Sequence, residues 1–294
     1  MRLTFERFSG RIAVTRRRGL VVALALAAPL VALGVASPAL ASLKLKEEFL
    51  PFADCPLASA SVCLVSTTTS GEFVIDHKTV PIEVPVTLQG GLAGESLYEQ
   101  PLLGAADGDT LSKTPLTVPG GLVGIGGLGG EVTATAELAG PPSSVIIDRW
   151  NLIGEKTPAV TLPIKVKLSN EVLGEDCYIG SDSEPIVLHL TTGTTSPPAP
   201  TEPIKGSVGN RQAGRAKGKI RYIEKAKLVD NDFAVPGASG CGGELSSVID
   251  LVLDLDVGIP ATPGESTAIM EGTLEETSKE YALKYLPKPK KAKK

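Results

Sequence analysis

The feature that most constrains this chain is an alternation of apolar and polar residues with a period of two. It is clearest at residues 159–168 (AVTLPIKVKL), where Val160, Leu162, Ile164, Val166 and Leu168 fall together and Lys165 and Lys167 stand opposite. Successive side chains of a strand point to opposite faces, so such a run predicts a strand buried on one side. Residues 131–138 (EVTATAEL) repeat the pattern with Val132, Ala134, Ala136 and Leu138. Residues 80–88 repeat it with Val80, Ile82, Val84, Val86 and Leu88, but Pro81 and Pro85 mark an edge or a broken strand. Residues 71–75, 185–190, 219–228 and 266–274 continue the series.

Turn residues separate these runs, and they account for much of the load of 32 Gly and 23 Pro. Residues 191–203 (TTGTTSPPAPTEP) read as a flexible linker or a long extended strap. Residues 209–219, basic and Gly-rich, read as an exposed hairpin tip or loop. Strands between such turns predict an all-β fold, a β-sandwich of mostly antiparallel strands. One segment changes period. At residues 244–258, Leu245, Val248, Ile249, Val252 and Leu255 recur at helical spacing, Ser246 or Ser247 offers an N-cap, and Gly258 with Pro260 offers a stop. This predicts one short helix near residues 244–257, although the β-branched content also suits a strand.

The N-terminus reads as an export signal. Arg11, Arg16, Arg17 and Arg18 precede an apolar run, residues 19–36, and Ala39 and Ala41 form an A-x-A site with cleavage between Ala41 and Ser42. An uncleaved anchor is the alternative, since the run approaches the ~20 residues that span a bilayer. The arginine run partly matches a twin-arginine signal, with Gly19 where an aromatic residue is common. The expected organisation is therefore a signal peptide at 1–41, a sandwich domain at 42–283 with its strap at 191–203, and a basic disordered tail at 284–294.

This division resolves the formal net charge of −4 into unlike parts. Without residues 1–41 the chain has 23 basic and 32 acidic groups, and without the six lysines of residues 284–294 the body stands at −15. An acidic body argues against nucleic-acid binding, which needs a basic face. In the tail, Lys288, Lys290, Lys291, Lys293 and Lys294 are candidates for contact with an anionic cell-wall polymer or lipid, at ~1 kcal/mol per Lys on a charged membrane surface. A solubilising terminus is the alternative.

Four cysteines, Cys55, Cys63, Cys177 and Cys241, follow the signal, and an even count in an exported chain reads as disulfides. Three pairings are open. The preferred one joins Cys55 to Cys63 across a short Pro-containing loop and Cys177 to Cys241, a long closure of roughly 4 kcal/mol in the chain-entropy model. No C-x-x-C occurs and both histidines are remote from the cysteines, so neither a metal site nor a redox site is expected.

Catalytic signatures are sparse. Residues 124–129 match G-x-G-x-x-G, but a strand-like run follows where a dinucleotide site needs a helix, so a Gly-rich turn is expected. His77 sits in a polar turn and His189 in a strand; either could serve as a general base, but no G-x-S-x-G elbow accompanies them. Asp250, Asp254 and Asp256, Asp230 with Asp232, and Asp107 with Asp109 read as solvated faces rather than a Ca²⁺ site.

The segments LGEDCYIGS (173–181), TTGTTSPP (191–198) and FAVPGASGCG (233–242) resemble a group of secreted actinobacterial proteins, over about residues 160–270. The resemblance implies export and a Cys177–Cys241 bridge, and it carries over no catalytic residue. The expected protein is a secreted or cell-surface structural or binding module, not an enzyme, with no cofactor. An envelope-embedded β-assembly or pore and a secreted hydrolase are the alternatives. Whether the inward faces close on themselves or leave a lined cavity separates a structural module from a binding one.

Overall fold

The computed structural model describes residues 38–121 and 131–287, with residues 38–42 as backbone alone. The part of the expected signal peptide before residue 38, the glycine motif at 124–129 and Lys288, Lys290, Lys291, Lys293 and Lys294 lie outside the described residues. In chain order, α1 (Pro38–Glu48) leads to β1 (Val62–Ile75), β2 (Lys78–Pro81), β3 (Val86–Leu92), β4 (Gln100–Pro101), β5 (Leu103–Gly104), β6 (Pro115–Thr117), β7 (Thr133–Leu138) and β8 (Ile146–Ile147). The chain continues through α2 (Arg149–Gly154), β9 (Val160–Ser169), β10 (Tyr178–Ile179), β11 (Ile186–Leu190), β12 (Asn210–Gln212), β13 (Ile220–Asp230), β14 (Ala238–Ser239), α3 (Ser246–Val257), β15 (Ser266–Ser278) and α4 (Lys279–Tyr285).

The strands form two antiparallel sheets, so the all-β sandwich expected from the alternation is the fold. The first sheet runs β12-β13-β15-β1-β3-β5, with β2 beside β1; the second runs β14-β10-β9-β7-β6, with β11 and β8 also on β9 and β4 on β8. β9 is the hub of the second sheet, and its predicted face is the buried one. Val160, Leu162, Ile164 and Leu168 are in the core and Val166 packs against it. Pro81 and Pro85 act as expected: the run at 80–88 breaks into β2 and β3, leaving residues 82–85 outside the ladder.

A second apolar cluster covers the outer face of the first sheet. Phe49, Phe52, Val65, Ile220 and Ala282 belong to it, and Tyr285 of α4 stacks on Phe49 with ring centroids 4.9 Å apart. Lys284 and Tyr285 are thus the end of a packed helix, not the start of a disordered tail. The expected boundary at residue 284 falls too early, because Tyr285 and Leu286 have apolar partners.

Both preferred disulfides are formed. Cys55 and Cys63 are joined at 1.99 Å, tying the turn after Phe52 to β1. Cys177 and Cys241 are joined at 2.01 Å, tying the start of β10 to the loop before α3. The segment at 191–203 is the strap of the two readings. Thr191 exchanges both backbone hydrogen bonds with Val229 at 2.9 Å, and Thr191 Oγ1 and Thr192 Oγ1 donate to the carbonyls of Lys156 and Leu152 at 2.8 and 2.7 Å. The Thr191–Val229 pair and His189 N–H, which donates to the buried Asp230 Oδ2 at 2.6 Å, fasten β11 of one sheet to β13 of the other, while the two hydroxyl bonds tie the strap to α2 and the turn after it.

The helix expected near 244–257 is present, but its orientation corrects the sequence reading. Leu245, Val248 and Leu255, placed on the core face by periodicity, are 65, 60 and 73% exposed, whereas Leu253 and Val257 are buried. The carboxylates are not a solvated face. Asp250 Oδ1 accepts the Cys241 N–H at 2.9 Å, Asp254 Oδ1 accepts the Ala238 N–H at 2.7 Å, and Asp256 pairs with Lys78 at 3.0 Å. Backbone donors in β14 and the loop after it need acceptors, and Asp254 and Asp250 supply them, turning the polar stripe inward. Neither Ser246 nor Ser247 caps the helix; Leu245 holds the N-cap position, with no side-chain hydrogen bond. Gly258 ends it as expected, at φ +84°, a left-handed conformation suited to glycine. Helices α1, α2 and α4 are additions to the one expected.

Candidate functional site

The two sheets do not close completely on each other. An interior space of about 530 Å³ remains between them, within the ~300–1,000 Å³ usual for small-molecule sites. From the first sheet Leu64, Val86, Leu88, Leu228, Met270 and Leu274 line it. From the facing side come Ile147, Leu152, Val160, Leu162 and Leu190. The reason for the gap is legible in β1, whose inward positions opposite Leu274 and Gly272 are Ser66 and Thr68. Short side chains there leave volume that a Leu or Phe would fill. Farther along the sandwich, around Phe73, Ile164 and Phe233, the sheets meet more tightly and leave only about 50 Å³.

The cavity is polarised along β15. Met270 lies toward one end, Leu274 follows, and Glu276 stands at the other, a span of roughly 20 Å at ~3.3 Å per residue. Arg149, the first residue of α2, reaches Glu276 across the gap, with Nη1 donating to Oε1 at 2.5 Å. Its Nη2 donates to the Ser96 carbonyl at 2.6 Å. The Arg149 side chain is 8% exposed, and its Nε is buried without a hydrogen-bond partner. Asp148 positions it by capping α2, accepting the Asn151 N–H at 2.7 Å.

Arg221 sits directly across the ladder from Glu276 and also donates to Oε1, at 2.6 Å, with 74% of its side chain exposed. Arg211 pairs in register with Ile223, which pairs with Leu274, so all three share the cavity face. Two guanidinium groups therefore share the Glu276 carboxylate and a third, Arg211, lines the same cavity, where Glu275 is the other carboxylate; three arginines against two glutamates leave an excess of positive charge on an acidic protein. Leu97 lines the cavity, and Tyr98 and Trp150 follow the lining residues Leu97 and Arg149 in the chain. Leu97, Tyr98 and Trp150 are 37, 65 and 44% exposed, with the two ring centroids 6.4 Å apart.

Glu275, the next residue on β15, pairs with Arg215 at 3.1 Å. Burial pushes its carboxyl above the ordinary carboxylate range, against the opposing pull of Arg215. Asp230 and Asp254 are raised for the same reason, burial outweighing the backbone N–H groups they accept.

The sequence-predicted candidates do not converge on this cavity. His77 is exposed in the turn between β1 and β2, 3.3 Å from Asp76, and His189 is exposed on β11. The four cysteines are consumed in the bridges. Ala41 and Ser42 lie within α1, so helical backbone runs across the expected cleavage site. Asp107 accepts the Asp109 N–H in a local turn at 3.0 Å. Among the described residues no cluster of His, Cys, Asp and Glu could hold a metal ion, and no helix is long and apolar enough to cross a membrane. Sequence reading missed Arg149, Arg211, Arg221 and Glu276, which as isolated charges carry no signature; the one usable clue was the pair of small hydroxyl residues at inward positions of β1.

Comparison of the chain with protein-family models, with curated proteins and with solved structures returned no match.

Proposed function

We propose that the protein is a secreted, non-catalytic binding module whose inter-sheet cavity takes up an apolar small molecule. The observation that carries this reading is the cavity itself, about 530 Å³ walled by aliphatic side chains from both sheets. A sandwich serving only as a structural spacer gains by filling such a space, since each unfilled void forfeits dispersion contacts and hydrophobic burial. The two disulfides suit an oxidising, extracytoplasmic compartment. Export rests on the basic, apolar and A-x-A segments of the N-terminus.

At about 30 Å³ for a water- or methylene-sized group, the cavity has room for on the order of 15–20 such groups, one alkyl chain rather than two. Each methylene moved from water into the slot is worth about 0.8 kcal/mol. Isothermal titration calorimetry with 1-dodecanol tests the reading. One molecule bound per chain with a negative heat-capacity change is the expected result. Absence of a binding heat at several temperatures overturns it.

A further inference from the structure

We propose that the cavity selects an amphiphile with an anionic head, a carboxylate or a phosphate, whose chain lies among the aliphatic residues and whose head rests between Arg149, Arg211 and Arg221. The proposal rests on the cavity reading above and adds the head group to it.

Three observations carry it. First, the charged residues of the lining gather at one end of the slot, and Ser66 and Thr68 are the neutral polar side chains farther in. Leu274 and Met270 extend from Glu276 into the apolar part, so a ligand with one polar terminus has one favourable orientation. Second, the charges at that end do not cancel. Arg149, Arg211 and Arg221 line the cavity together with Glu275 and Glu276; Glu275 is taken by Arg215, a fourth guanidinium, and a single Oε1 of Glu276 takes both Arg149 and Arg221. Third, Arg149 is buried with its Nε–H unpartnered. A buried donor without an acceptor is costly, and more so on a charged group. A ligand oxygen would satisfy it. The guanidinium fork matches carboxylate and phosphate oxygens, which favours these heads over an ammonium or an alcohol.

The test is displacement of the neutral fluorophore N-phenyl-1-naphthylamine from the disulfide-bonded protein by four twelve-carbon competitors. These are dodecanoate, monododecyl phosphate, 1-dodecanol and dodecyltrimethylammonium, each below its micelle concentration. The expected result is displacement by dodecanoate or dodecyl phosphate at about tenfold lower concentration than by dodecanol, with the cation weakest and the preference shrinking with added salt. Whichever anion acts at lower concentration distinguishes the two heads. Arg211→Gln with Arg221→Gln, both exposed positions, should reduce the preference several-fold and leave dodecanol unchanged. Arg149→Gln should reduce it further. Glu276→Gln removes the competing carboxylate and should raise the anion preference, which a purely apolar slot would not show. If the fluorophore binds but all four competitors act alike, the head-group proposal is overturned and the cavity reading stands. If the fluorophore does not bind, both fall. Should Arg149→Gln fail to fold, the Arg211/Arg221 pair decides by itself.

Discussion

Arg149 and Glu276 meet across the gap between the two sheets, Nη1 to Oε1 at 2.5 Å, where the sandwich is held apart rather than packed shut. Arg149 belongs to α2 on one side and Glu276 to β15 on the other, and Arg221 shares the same carboxylate oxygen. The arrangement is asymmetric. Glu276 has two cationic partners, whereas Arg149 has Glu276 as its carboxylate.

That asymmetry predicts unequal costs. Glu276→Leu strands a buried guanidinium and should destabilise the fold by about 3–5 kcal/mol. Arg149→Met leaves Glu276 paired with Arg221 and should cost clearly less. The double replacement should recover most of the loss, because neither charge then remains to be neutralised. Urea denaturation of the two single variants and the double variant measures this; equal costs for the two singles would contradict the described pairing.

The two bridges should differ in worth. The chain-entropy model gives about 4 kcal/mol for a closure as long as Cys177–Cys241, with a sequence separation of 64, and roughly 2.5 kcal/mol for Cys55–Cys63, with a separation of 8. Replacing each pair by alanine and comparing thermal midpoints should show the larger drop for Cys177/Cys241. The reverse order would mean that the N-terminal turn holds more of the fold than its short loop suggests.

Stability should fall as pH rises above about 4 and through the raised folded values of three carboxyls. Burial raises the carboxyls of Asp230, Asp254 and Glu275, so the folded state holds their protons more tightly than the unfolded chain does. Stability from these groups is complete below the unfolded value near ~4 and is lost as pH rises through the raised folded values. Self-repulsion of the acidic body acts in the same direction. Asp182, lowered by its hydrogen bond to Lys165, opposes the trend, but it is solvent-exposed and screened. Thermal midpoints across this range should decline, and Asp230→Asn should flatten the decline. A midpoint that climbs with pH would contradict the assignment.

The orientation of α3 is open to a simple contrast. Leu255→Lys, at a position 73% exposed, should change stability by no more than about 0.5 kcal/mol. Leu253→Ala, at a fully buried position, should cost about 2–5 kcal/mol. The helical periodicity of the sequence alone favours the opposite order, with Leu255 in the core.

The same helix shows what could and could not be read in advance. Its existence and its end were legible, because an apolar period and Gly258 are local signals. Its rotation was not, because Asp250 and Asp254 turn inward to meet the N–H groups of Cys241 and Ala238, a requirement that arises only once that loop is in place. β9 was legible in full, since every second residue is aliphatic and both faces are specified. The strap at 191–203 could be recognised but not fixed, because Thr191 finds its partner in Val229, far along the chain. The cavity was the least legible feature. Alternation states which side chains point inward and is silent on whether they reach those opposite, and Arg149, Arg221 and Glu276 read singly as ordinary surface charges.

One titration decides whether the space between the sheets is a binding site. N-phenyl-1-naphthylamine is added to the wild-type protein and to Ser66→Phe, which places a ring at an inward position of β1 that lines the cavity. Saturable fluorescence enhancement at one site per chain is expected in the wild type, with binding more than about tenfold weaker in the variant at similar thermal stability. No enhancement in the wild type, or the same affinity in Ser66→Phe, would contradict it.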